Sequence, residues 1–182
     1  MDNQAHSDRS AEEYLSRITE SGLKKPIPPE LSGLSKTGCF NVSGIVHCLQ
    51  TDLQTDVKKG LPVLFEHISS TAGNAVLHSD GTVILPAGNA CLALLWFCAC
   101  VSPLLGTTAS LELRINGAAV SGGTTSAQSA YQVGAEMSLT ALTVVSLQKD
   151  TKQTLALVNS STTADIAHAS LVMILFDPAA CS

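Results

Sequence analysis

The chain has 182 residues, enough for one domain with a real core and a tail beside it. Hydrophobic residues make up 45% and charged residues only 14%, a balance that favours burial in an assembly over life as a free monomer. The net charge is −5, with no basic cluster beyond Lys24-Lys25 and Lys58-Lys59, which argues against a phosphate-tracking nucleic-acid surface.

Residues 1–10 carry no periodicity, and their polar, acidic character predicts no secretory signal. Ser10 then reads as an N-cap, with Glu12 and Glu13 in the first turn of a short helix over about 11–21 that Gly22 ends. The prolines of Lys24-Lys-Pro-Ile-Pro-Pro-Glu-Leu31 force the next stretch to be extended. It is either a linker or a docking peptide with Ile27, Leu31 and Leu34 as anchors in a partner's groove. Residues 1–40 are therefore expected to form a tail and anchoring segment, and 41–59 a connecting segment in which Gly44 interrupts the β-formers.

From residue 60 the pattern is β throughout. Strands are predicted over Leu61–His67, Val76–His78 and Thr82–Leu85, the last two joined by the Asp80-Gly81 turn. A long apolar run, residues 85–101, follows. With period 2 it places Leu92, Leu94, Trp96, Cys98 and Cys100 on one face and Cys91, Ala93, Leu95, Phe97, Ala99 and Val101 on the other. Neither face is polar, so both must be covered, the second by another part of the chain or another subunit. A buried helix would show the same apolar run, but Pro86, Gly88 and Ser102-Pro103 hem it in. A membrane span needs roughly 20 apolar residues, more than this run supplies.

Leu111, Leu113 and Ile115 alternate with polar residues up to Asn116-Gly117, a type I′ hairpin signal, and Ala118–Ser121 pairs back. Residues 122–128 read as a loop of small residues. Further strands are expected over Ala130–Glu136, Met137–Leu147, Gln153–Val158 and Ala169–Phe176. The last is again apolar on both faces, so either the Leu171, Met173 and Leu175 set or the alternate set with Phe176 meets a second subunit. Short strands without a helix beyond residue 60 mean an all-β sandwich.

No catalytic or metal-binding constellation emerges, and no cofactor is expected. Of six cysteines, Cys98 and Cys100 could offer two thiolates to zinc, but no second Cys/His pair has a matching spacing. Adjacent His47 and Cys48 point to opposite faces of an extended chain, which gives a Cys/His dyad no support. Reduced thiols are expected, since Cys in an apolar run acts as a small hydrophobe. Asn41-Val-Ser43 and Asn159-Ser-Ser161 are formal glycosylation sequons.

LPAG, the long apolar strand, the LELRINGAAV hairpin, a Gly/Ser/Thr loop, LALVNSS and a terminal apolar strand form a sequence of signals with a known counterpart. Over residues 60–177 it resembles the globular head of complement-type collagenous proteins and the tumour necrosis factor superfamily. Among these it looks most similar to bacterial exosporium collagen-like glycoprotein heads and to viral or phage trimeric heads. The resemblance implies a two-sheet jelly roll of about ten strands with the first and last paired in mid-sheet, and a tight homotrimer. It differs in two respects: a helix and a Pro-rich segment replace the Gly-X-Y stalk, and the aromatic content of 4% points to a microbial or viral member.

The expected function is a non-enzymatic structural or attachment protein. Residues 60–182 form the trimerising head, with Trp96, Phe97, Leu171, Met173, Leu175 and Phe176 in its core or subunit interface. The tail ties it to a capsid or coat protein at a virion or spore surface, and the head loops are open to a receptor or glycan. The alternative is a soluble trimeric cytokine- or complement-like ligand.

Overall fold

The computed structural model describes residues 40–72, 74–88, 90–128 and 135–178. These form eleven strands, with no helix among the described residues: β1 (Phe40–Gln50), β2 (Gln54–Val57), β3 (His67–Ser70), β4 (Val76–Leu77), β5 (Val83–Leu85), β6 (Leu92–Pro103), β7 (Thr108–Ile115), β8 (Ala118–Gln128), β9 (Met137–Ser146), β10 (Gln153–Asn159) and β11 (Ala164–Pro178). A six-stranded sheet runs β3-β1-β11-β6-β9, with β2 also on β11, and a five-stranded sheet runs β4-β5-β10-β7-β8. All pairings are antiparallel. The result is the expected jelly-roll sandwich with first and last strands paired inside one sheet, although the first strand is β1 and not the Leu61–His67 segment.

The core lies between the sheets. Ala93, Leu95, Phe97, Ala99 and Val101 of β6 and Ala169, Leu171, Met173 and Leu175 of β11 face Leu111, Leu113, Leu155 and Leu157 of the other sheet. The chain between β2 and β3 adds Val63 and Phe65. The phase of both two-sided strands is thereby settled. Odd-numbered residues of each point inward over most of its length.

Four expectations change. Residues 41–59 are not a connecting segment, because β1 lies between β3 and β11 and buries Val46, Cys48 and Gln50. Gly44 does not break that strand; the register with β11 shifts between Val42 and Gly44, and Ala72 packs where a Cβ would stand. Leu61–His67 is largely extended chain, held by Val63 N–H donating to Leu157 O at 2.8 Å and by a single bridge from Pro62 to Val158. Residues 122–128 continue β8 on the edge of the five-stranded sheet, paired with Thr108–Glu112. Ala135 and Glu136 precede β9 without joining a strand, and 129–134 lie outside the described residues, as do the expected helix at 11–21 and the Pro-rich stretch.

The hairpin turn is as predicted: Asn116 and Gly117 have φ of 51° and 79°. Asn116 Oδ1 also accepts from Thr154 N–H at 2.9 Å, tying the turn to β10. Asn159 is buried, and its Nδ2 donates to Val57 O and Thr162 O at 2.7 Å each, so this sequon serves the fold.

The close approach at Gly44 is testable. Gly44→Val places side-chain atoms against the Ala72 backbone and should lower stability by about 1–3 kcal/mol. A chemical-denaturation midpoint equal to wild type would show that β1 and the Ala72 loop are not packed this way.

Candidate functional site: the outer face of the six-stranded sheet

Residues that do not enter the core of β1, β11, β6 and β9 share the opposite face, in register. One row is Ile45, Ile174, Leu94 and Val144; the next is His47, Val172, Trp96 and Leu142. Beyond the first lies Val42, Phe176, Leu92 and Ser146, and beyond the second Leu49, Ser170, Cys98 and Thr140. Leu142 and Val144 are 62% and 61% exposed, Val42 59%, Ile45 42% and Trp96 39%. Contiguous large side chains across four strands form a patch of the kind that marks an interaction surface.

The face is graded along its strands. At its polar end His47 Nε2 pairs with Ser170 Oγ at 3.0 Å, and Trp96 Nε1–H donates to Thr140 Oγ1 at 3.2 Å. Thr140 Oγ1–H in turn donates to Phe97 O at 2.8 Å, which fixes the indole above the strand. A bulge between Ile166 and His168 turns His168 outward opposite Cys100. Cys100 Sγ–H donates to Glu136 Oε2 at 3.4 Å. Burial first, then that bond and the Glu136 charge, push the Cys100 thiol up, so it stays protonated near neutrality.

Cys48, behind the sheet, is pushed up to about 11 by burial and faces away from His47. Among the described residues no three His, Cys, Asp or Glu side chains converge as a metal site. Cys48, Cys91, Cys98 and Cys100 are free thiols. Among the described residues, no helix is long and apolar enough to cross a membrane.

The predicted interface residues divide. Phe97, Leu171, Met173 and Leu175 belong to the core, whereas Trp96 and Phe176 stand on the outer face. Val42, Ile45, Leu142 and Val144, all on that face, were missed. The alternation Ser138, Thr140, Leu142, Val144 was available, but its phase follows only once Leu139 is known to be buried. The tail anchors Ile27, Leu31 and Leu34 lie outside the described residues.

No family model matches the sequence, and no curated protein matches it in sequence. Solved structures do match in fold. Eiger TNF from S. frugiperda superposes with a TM-score of 0.60 at 13% identity, covering 76% of this chain and 95% of that one. The globular domain of zebrafish complement 1qA gives 0.50 at 13% identity over 71% and 94% of the two chains. Murine APRIL gives 0.50 at 11% identity over 72% and 98%. The chain thus has the jelly-roll fold of the tumour necrosis factor-like and complement-type heads.

Proposed function

We propose that the chain is a non-enzymatic structural module that assembles as a homotrimer through the outer face of its six-stranded sheet. Its N-terminal segment, residues 1–40, tethers the trimer to a larger particle, a virion capsid or spore coat. The observation that carries the assembly is the four-strand apolar face, with Trp96 at its centre and Leu142 and Val144 at its edge. Covering a few hundred Å² of it per subunit, at roughly 25 cal/mol per Å², contributes several kcal/mol. The fold shared with tumour necrosis factor-like heads supports three as the number. The tether rests on the Pro-stiffened stretch with Ile27, Leu31 and Leu34, which loses little backbone entropy on docking, and three copies add avidity. The same fold supports a second reading as a soluble trimeric ligand, in which the head loops bind and the tail is a spacer.

Light scattering at micromolar concentration should give about three times 18.9 kDa. Leu142→Asp and Val144→Asp should yield folded monomers, whereas Leu171→Asp and Met173→Asp should yield unfolded chains. A stable wild-type monomer, or an assembly indifferent to Leu142→Asp, would end the assembly reading.

Thiol alkylation gives a second measure. Cys98 and Cys100 lie on the outer face and should be protected in the trimer but modified in the Leu142→Asp monomer, while Cys48 resists in both. Equal labelling of Cys98 in the two would place the interface elsewhere.

The tether is tested by deleting residues 1–36. The truncated head should remain a trimer yet fail to join its particle. Equal incorporation of full-length and truncated protein would favour the soluble-ligand reading.

A further inference from the structure

A cavity of about 310 Å³ opens at the end of the sandwich where β11 finishes, away from the central rows of the outer face. Its walls come from the start of β1, the β3–β4 connection, the chain after β5, the β9–β10 turn and Asp177. Asp150 N–H donating to Gly88 O and Leu147 N–H donating to Cys91 O, both at 2.8 Å, hold two of those walls together. The floor is apolar, made by Leu85, Pro86 and Leu147 among others. The polar lining is Ser43, Asn74, Gln148, Thr151, Gln153 and Asp177.

Among the described residues Asp177 is the one ionisable member of that lining, which there contains no Lys, Arg or His. Lys149 and Lys152 on the adjacent turn are exposed and do not line it. Asp177 Oδ1 is shielded from water and has no hydrogen-bond partner among the described residues. A buried carboxylate oxygen without a donor is costly, and such orphans call for an explanation. Oδ1 itself does not face the cavity, which Asp177 lines through its other atoms.

We propose that this cavity binds a primary alkylammonium group, with Asp177 as its counter-ion and the aliphatic part lying on Pro86 and Leu147. An anion is disfavoured, because the one ionisable side chain among the described lining residues is a carboxylate. A divalent cation wants about six to eight oxygens, usually several of them carboxylates, and finds one carboxylate above an apolar floor. A sugar lacks the aromatic platform it commonly stacks on, since no Phe, Tyr or Trp is among the described lining residues. An alkylammonium fits both halves: hydrocarbon for the floor, and donors for Asp177 and the side-chain amide oxygens around it. The group can arrive on a free alkylamine or as a lysine side chain of a partner protein.

The test is a titration of the full-length protein, followed by NMR at Leu147, Thr151 and Gln153, with n-butylamine, Nα-acetyl-lysine amide and the neutral isostere n-butanol. The amines should saturate and bind about tenfold or more tightly than the alcohol. Asp177→Asn should weaken them about tenfold while leaving the melting temperature of the ligand-free protein unchanged or higher, because it removes an unpaired charge. Ala87→Leu, which fills the mouth while keeping Asp177, should abolish binding. Tighter binding of the lysine amide identifies a partner's lysine as the source, and tighter binding of butylamine a free amine. Absence of saturable shifts at millimolar amine, equal binding of butanol, or equal binding by Asp177→Asn would overturn the proposal.

Discussion

The antiparallel pairing of β6 with β11, from Leu92 opposite Phe176 to Pro103 opposite Ala164, is the constraint on which the rest of the sheet depends. Each strand is apolar on both faces, so hydrophobic burial alone does not say which set turns inward. A slip of one residue would exchange the sets. The polar ends break the degeneracy: Ser102, Ser170 and His168 stand on the outer set, and reversing the phase would bury them. The bulge between Ile166 and His168 serves the same end, keeping Ile166 fully buried while His168 stays exposed.

That degeneracy marks the limit of what the sequence makes legible. The central strand, the Asn116-Gly117 hairpin, the terminal strand and the jelly-roll class all rest on period-2 patterns or turn chemistry, and these are local. The phase of β6 and β11 is not local, which is why Leu171, Met173 and Leu175 stood as candidates beside Phe176 and proved to be core. β1 was hidden for a different reason. It carries a glycine at its bulge and a fully buried Gln50, which breaks the apolar alternation. The backbone holds the Gln50 amide nitrogen, Nε2 donating to the carbonyls of Ile166 and Asp52, while Oε1 is buried without a partner among the described residues. β8 was hidden by its small residues, which pair as an edge strand without offering a hydrophobic period.

The two outer faces of the sandwich are chemically unlike. On the five-stranded sheet, β7 shows Ser110, Glu112 and Arg114 outward, and Arg114 Nε–H meets Glu112 Oε1 at 2.7 Å on a partly exposed surface. That is the ordinary alternation of a sheet with one side in water. On the six-stranded sheet the central outward positions are mostly Leu, Ile, Val, Trp and Phe, with polar residues such as His47, Ser170 and Thr140 toward one end. One chain thus carries two solutions to the same geometry, and only the first is suited to solvent.

Strand β9 sharpens the point. It is an edge of the six-stranded sheet, and its residues 137–146 contain no charge and no proline. Edge strands left in water are commonly blunted by Lys, Pro, bulges or covering segments, because an unpaired, apolar edge templates aggregation. Here the side chains that would carry such protection are Leu142 and Val144, the two most exposed members of the apolar face. Thr143 Oγ1–H donates to Ser121 O at 2.8 Å and links β9 to the other sheet, but it leaves that face open. β9 thus sets an uncharged, proline-free edge beside the apolar outer face, so that one covering surface would shield both.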